Sequence, residues 1–208
     1  MTCATSTAQL CLASHSPRRR QLLEQLGVTF FVRAAGDEVE EAVAGAGRGR
    51  EAEQVALERA RLKGVAVQEQ LLAEGVACPV LSADTVVHLN ERLLDKPQNQ
   101  AEAIEFLQSL SGTTHGVVSA VWILDGETRL SAWRRTLVRF AELDRETMEA
   151  YVETGEPFDK AGGYGIQGVG GALVESIEGC YFTVMGLPVR ETALLLRQAK
   201  ISWKLFKA

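Results

Sequence analysis

Residues 10–26, LCLASHSPRRRQLLEQL, confine the start of this chain to a short strand running straight into a helix. Leu10–Ala13 is an apolar run of strand length. Ser16 then offers an N-cap hydroxyl, and Pro17 suits the first helical position. Leu22, Leu23 and Leu26 form a core-facing stripe before Gly27 ends the helix. This reading puts Arg18, Arg19 and Arg20 in the first turn, where the helix dipole disfavours each cation by about 0.3–1 kcal/mol. The natural compensation is an anion held by backbone N–H groups, the Ser14 or Ser16 hydroxyls and the guanidinium forks. The alternative is a solvated arginine face.

At 208 residues the chain is one large or two small domains, long enough to bury a substantial core. A hydrophobic content of 46% fits a globular protein and excludes wholesale disorder. No apolar run is long enough to cross a bilayer, and MTCATSTAQ lacks the basic and apolar regions of a secretory signal, so a cytoplasmic location is expected. The net charge of −5 argues against a nucleic-acid polymer or a membrane surface as partner. Cys3, Cys11, Cys78 and Cys180 are scattered without a CxxC pair and read as reduced thiols. His15, His88 and His115 are equally dispersed, which argues against structural zinc.

Strands and helices interleave along the chain. Thr29–Ala34 reads as a second strand leading into the acidic stretch Asp37–Glu41, and Ala42–Gly49 as a loop. Glu51–Ala73 reads as a helix interrupted near Gly64, and Pro79–Leu89 as a central strand. Asn90–Leu94 is expected to be a loop, and Ala101–Leu110 a helix. Gly116–Leu124 and Thr128–Phe140 flank Asp125-Gly126, a hairpin signal. Asp144 caps a helix that Gly155 ends, and Pro188–Gln198 is the final helix. The expected class is α/β or α+β: a single mixed, twisted, elongated sheet flanked by helices, with no clean domain boundary.

Four further places carry chemical potential. Asp84 lies inside the strand SADTVV, where aspartate is depleted and an unpartnered buried carboxylate is costly. It reads as paired to a cation, bound to metal or acting as a base, or else as a strand-end turn residue. Pro97 holds Lys96 extended, which could aim its ammonium at a phosphate, although a lysine before proline is commonly just exposed. Phe158–Ala172 has six glycines between positions 162 and 171, supplying N–H groups and close backbone approach; otherwise it is a flexible surface loop. Its Gly163-x-Gly165-x-x-Gly168 is not a dinucleotide fingerprint, because a strand, not a helix, is expected after it. Asp159, Lys160, Tyr164 and Gln167 make the segment chemically richer than a linker, and the Gln167 amide can read both a donor and an acceptor. Finally, Asp37-Glu38 at a strand end suits a divalent metal, while Lys63 read alone is a solvated helix lysine.

Taken together, these stretches resemble the Maf family of nucleoside triphosphate pyrophosphatases, associated with inhibition of septum formation. The matching runs are Leu12–Arg19, Asp37–Glu38, Ala60–Gly64, Ser82–Val87, Asp95–Pro97, Leu110–Val117, Tyr151–Gly179 and Val184–Pro188. They stand in the family's order over about residues 10–196, and imply one Maf-like domain over 1–208 with a nucleotide cleft. The resemblance implies cleavage between the α- and β-phosphates, releasing a monophosphate and pyrophosphate, with a divalent cation (Mg²⁺, Mn²⁺ or Co²⁺). By position it implies Asp84 as proton acceptor with Lys96 beside it in catalysis. Ser14, Arg18, Arg19, Lys63, Thr85, Lys160 and Gln167 would bind substrate. Glu38 and Asp84 would hold metal. It also implies a homodimer.

The family has two broad groups, one preferring dTTP and UTP and carrying IQG where the 7-methyl-GTP group carries SEG. This chain has Ile166-Gln167-Gly168, and Arg18, Thr85 and Gln167 are the positions tied to the choice. The resemblance therefore implies dTTP/UTP pyrophosphatase activity, extending to modified uridine triphosphates, that cleans the nucleotide pool and has a link to cell-division arrest. The alternatives are 7-methyl-GTP hydrolysis and a nucleotide-binding regulator of septum formation. Gly64 stands where alanine is common in the family, Gly163 also replaces an alanine, and Cys180 a serine.

Overall fold

The computed structural model describes residues 8–36, 38–39, 42–43 and 50–208. Cys3, Asp37, Glu40, Glu41 and positions 44–49 lie outside the described residues.

The chain opens as its capping signals imply. β1 (Leu10–Leu12) is wholly buried, and Ser16 caps α1 (Pro17–Leu26) by accepting from the Arg19 N–H at 3.4 Å. Gly27 ends α1 at φ 73, in the left-handed region. Leu22 and Leu23 are completely buried, each contributing about 1.5–3 kcal/mol. The C-terminal tail returns to this helix, where the Lys204 N–H donates to the Leu26 carbonyl at 2.9 Å.

Then come β2 (Phe30–Val32), α2 (Ala52–Ala73), β3 (Val80–Leu89), β4 (Arg92–Leu94), α3 (Gln100–Leu110), β5 (Thr114–Asp125) and β6 (Thr128–Phe140). The remainder is α4 (Arg145–Glu153), β7 (Val174–Glu178), α5 (Tyr181–Met185) and α6 (Val189–Gln198). The strands form a mixed open sheet in the order β2-β1-β3-β5-β6-β7, with β4 added antiparallel to β3. β2, β1 and β3 are parallel, and Leu12 stands opposite Val32 on one side and Leu81 on the other. The α/β class read from the sequence is the class observed.

Four expectations need correction. α2 runs unbroken through Gly64, because the glycine is a packing position. A Cβ there would lie 2.5 Å from Ser82 Oγ and 2.8 Å from Leu124 Cδ1, so only glycine lets this helix approach so closely. Residues 92–94 are a strand, since Asn90 at φ 54 turns the chain back on β3. Ala42 and Val43 have helical backbone, so the loop expected over 42–49 does not include them. The glycine-rich segment folds into three short 3₁₀ turns (Glu156–Asp159, Ala161–Gly163 and Val169–Leu173), with Gly162, Gly163 and Gly170 buried.

The chain divides into two compact units. The first takes its described residues from Met1–Asp84, Ser119–Arg134 and Gly186–Ala208, and the second from Thr85–Val118 and Arg135–Met185. In the first, Cys11, Val67, Leu71, Val80 and Leu124 pack together, and the Trp122 indole N–H donates to the Leu57 carbonyl at 2.9 Å. In the second, Phe106, Leu107, Leu110, Phe140, Tyr151 and Tyr164 form the core. Cys11, Cys78 and Cys180 form no disulfide. No helix among the described residues is long and apolar enough to cross a membrane.

Candidate active site

The first unit gathers its polar candidates at the carboxyl ends of parallel strands. β1 stops at Leu12 beside Leu81, whereas β3 continues through Asp84 to Leu89. Ser14 and α1 follow the end of β1, and Glu38 follows the end of β2. In open α/β sheets ligands bind beyond the carboxyl ends of strands.

Ser14 is buried, and its Oγ accepts from the Ser16 N–H at 3.1 Å and from Arg19 Nη1 at 3.2 Å. With both acceptor positions taken, its own O–H is left to donate. Arg19 Nε donates to the Gly186 carbonyl at 3.0 Å, which fixes the guanidinium plane between the start of α1 and the entry to α6. The half-buried Arg18 shares this turn, while Arg20 and His15 are exposed.

The buried Asp84 meets Lys63 of α2, whose Nζ lies 2.8 Å from Asp84 Oδ1. Both side chains are about nine-tenths covered, at 11% and 9% exposure, so Lys63 is no solvated helix lysine. The partner that Asp84 requires as a strand-interior carboxylate is therefore a cation. The register of α2 is set one residue on, at Gly64, and by the Ser82 hydroxyl donating to the Ala60 carbonyl at 2.7 Å. Glu38 is exposed. No cluster of three His, Cys, Asp or Glu side chains occurs among the described residues, so a closed all-protein metal cage is not formed by them.

The second unit holds the other candidates. Thr85, half-buried, follows Asp84 on β3. Lys96 is exposed, with its carbonyl accepting from Gln98 Nε2 at 2.9 Å. Lys160 turns inward: its Nζ reaches the Glu156 carbonyl at 2.7 Å and Asp159 Oδ1 at 2.5 Å. Gln167 is exposed in a turn closed by the Gly168 N–H donating to the Gly165 carbonyl at 3.1 Å. The glycine-rich stretch does not precede an α-helix, as the rejection of a dinucleotide fingerprint required.

Two features here escaped the sequence reading. Glu156 accepts from the Val169 N–H at 3.0 Å, the Gly170 N–H at 3.0 Å and the Tyr151 hydroxyl at 2.9 Å. Burial opposes its charge, but the Gly170 N–H, the Tyr151 hydroxyl, the Val169 N–H and the nearby Lys160 ammonium hold its carboxyl below the usual value. The same burial, with the Glu156 carboxylate beside it, pushes the Tyr151 phenol up. The second feature is His115, whose Nε2 lies 2.8 Å from Tyr164 Oη, with its ring edge-on to Phe140 at 5.1 Å. Burial, then the neighbouring His88, lowers it from 6.5 to about 4. A Glu-Pro pair after the glycine that ends a helix was the available signal for Glu156; His115 gave none.

The sequence matches the Maf-like protein family over residues 9–199. It is 45% identical over 196 residues to the dTTP/UTP pyrophosphatase of Burkholderia pseudomallei (strain 1710b), covering 92% of this chain and 94% of that protein. The dTTP/UTP pyrophosphatase of Burkholderia thailandensis is 43% identical over 206 residues, covering 97% and 98%. That of Symbiobacterium thermophilum is 45% identical over 191 residues, covering 91% and 93%. With a family match spanning residues 9–199 and relatives this similar over more than nine-tenths of its length, the chain belongs to the Maf family.

Proposed function

We propose that this protein hydrolyses nucleoside triphosphates to the monophosphate and pyrophosphate, with dTTP and UTP as preferred substrates. The observation that carries the reading is the placement of Ser14 and Arg19 just after the carboxyl end of β1, next to β3, which runs on past that end and carries Asp84 with its Lys63 partner. The relatives' shared activity supports it.

Ser14 donates its free O–H, and Arg18 and Arg19 their guanidinium N–H groups, to the phosphate oxygens; Lys96 and Lys160 add positive charge. Cleavage between the α- and β-phosphates places charge on the departing pyrophosphate, and fixed cations lower that barrier. Asp84 accepts the proton of the attacking water. Lys63 holds Oδ1, so the proton goes to Oδ2. A divalent cation suits this donor set in the manner of Mg²⁺, which takes one or two carboxylates and completes its shell with phosphate and water oxygens. Glu38 would hold it, with metal ligation by Asp84 the alternative to its role as base, and it would neutralise phosphate charge. Thr85 and Gln167 select the base, Gln167 by offering an acceptor and a donor to the N3–H and O4 edge of thymine or uracil.

The test is pyrophosphate release from dTTP, UTP, CTP, GTP, ATP and 7-methyl-GTP with Mg²⁺ or Mn²⁺, beside Asp84→Asn. Selective release from dTTP and UTP, lowered by about 10²–10⁴ in Asp84→Asn as expected for loss of a general base, is the predicted result. A 7-methyl-GTP preference would overturn the base assignment and leave the chemistry standing. Binding without turnover on every nucleotide would overturn the enzyme reading.

A further inference from the structure

A run of glycines offering N–H groups suggests an anion from outside, yet the anion held in this segment is the chain's own. The Val169 and Gly170 N–H groups both end on the Glu156 carboxylate at 3.0 Å. Gly168 and Gly170 are the residues that make room. A Cβ on Gly168 would lie 2.3 Å from Glu156 Oε2, and one on Gly170 would lie 2.6 Å from Tyr151 Oη. On the other side the Gly165 N–H donates to Tyr151 Oη at 3.3 Å, and Tyr151 passes its hydroxyl hydrogen to Glu156 Oε1 at 2.9 Å.

The turn Gly165–Gly168, which carries Gln167, is thereby tied at both ends to one carboxylate: through Tyr151 before it, and directly through Val169 and Gly170 after it. All three groups that meet the carboxylate are donors, and an ionised carboxylate accepts from all of them without an O–H of its own to place. A glutamine of the same shape has one acceptor oxygen and would turn an NH₂ toward at least one donor. The Lys160 stem closes the underside, since a Cβ on Gly165 would lie 2.6 Å from Lys160 Cε.

We propose that Glu156, acting through Tyr151 and the Val169–Gly170 backbone, is the positioning residue that sets the aim of Gln167 and so fixes base selectivity. This rests on the reading of Gln167 as the group that meets the base. Gln167 itself is exposed, so its direction comes from the turn beneath it.

The experiment measures kcat and KM for pyrophosphate release from dTTP and dCTP in the wild type, Glu156→Gln, Tyr151→Phe, Gln167→Ala and the Glu156→Gln/Gln167→Ala double variant. Thermal unfolding establishes that each is folded. Misaiming one base contact is expected to lower the dTTP-over-dCTP preference in kcat/KM by about tenfold in Glu156→Gln and in Gln167→Ala, mainly through KM for dTTP. Tyr151→Phe should lower it in the same direction. The double variant should lose no more than Gln167→Ala alone, because both changes remove one interaction. If Gln167→Ala loses the preference while a folded Glu156→Gln keeps it within about twofold, the positioning role is overturned and the base reading stands. If Gln167→Ala keeps the preference, the base reading falls, and the positioning role with it. Should Glu156→Gln fail to fold, Tyr151→Phe, which removes a single hydroxyl, decides: an unchanged preference overturns the proposal.

Discussion

Lys63 Nζ stands 2.8 Å from Asp84 Oδ1, so a helix lysine and a strand aspartate neutralise each other in a place where neither is well exposed. Removing one member leaves the other buried without its counter-charge, which typically costs about 3–5 kcal/mol. Lys63→Met is therefore expected to lower the urea midpoint sharply. Adding Asp84→Asn to Lys63→Met should recover part of the loss. Equal or greater destabilisation in the double variant would show that the pair does not couple.

Arg19 spends Nε on the Gly186 carbonyl and Nη1 on Ser14 Oγ, two bonds that a lysine ammonium cannot make from one planar fork. Arg19→Lys keeps the charge and loses that orientation. A drop of about ten- to a hundredfold in kcat/KM for dTTP is expected, the size of one or two charged hydrogen bonds. Activity within about twofold of wild type would mean that charge alone is required there.

Gly64→Ala sets two effects against each other. Alanine favours the helix by about 1 kcal/mol, but its methyl would press on Ser82 Oγ at 2.5 Å and Leu124 Cδ1 at 2.8 Å. Overpacking costs about 1–3 kcal/mol, so a net loss of stability is expected by chemical denaturation. Ser82→Ala removes the closer obstacle, and the double variant should fall short of the sum of the two single losses. A stabilised Gly64→Ala would show that α2 can move away from the sheet at no cost.

His115 couples the second unit to acid. Burial and the neighbouring His88 lower it from 6.5 to about 4, so the unfolded chain takes up this proton first as pH falls. Its contribution is complete above about pH 6.5 and is lost as pH drops toward 4, about 3 kcal/mol in all at 1.36 kcal/mol per unit. Unfolding free energy measured from pH 7 downward should decline through this window, before most carboxylates titrate. His115→Gln should flatten that slope, and an unaltered slope would assign the decline to other groups.

What the sequence discloses here depends on whether the cause is local. Ser16, Pro17, Gly27 and Asp144 set helix ends through their own side chains or backbone, and each stands where its signal placed it. Asp84 announced that it needed a partner, but Lys63, 21 residues away, did not look like one until α2 lay against the sheet. Gly64 failed as a helix-breaker for the same reason: its smallness serves a neighbour on β3, which no window along the chain contains. The Glu-Pro signal marked Glu156 but not its role, because its three donors come from both sides of it in sequence and converge only through the 3₁₀ turns. The roles of Ser14, Arg18, Arg19, Lys96, Thr85, Lys160 and Gln167 come from family resemblance, and the fold supplies their surroundings.

The internal carboxylate has a consequence for how such a protein can diversify. The bonds that hold the Gln167 turn arise from Tyr151, Glu156, Val169 and Gly170, all in one unit, while the Lys63–Asp84 pair draws on the other. With Gln167 as the proposed reader of the base, a descendant or a designer can therefore retune which base is favoured by rebuilding one short self-anchored turn, keeping the Lys63–Asp84 pair as inherited. The same wiring sets the limit on that freedom: any replacement loop must still supply donors to Glu156, or leave a half-buried charge unanswered.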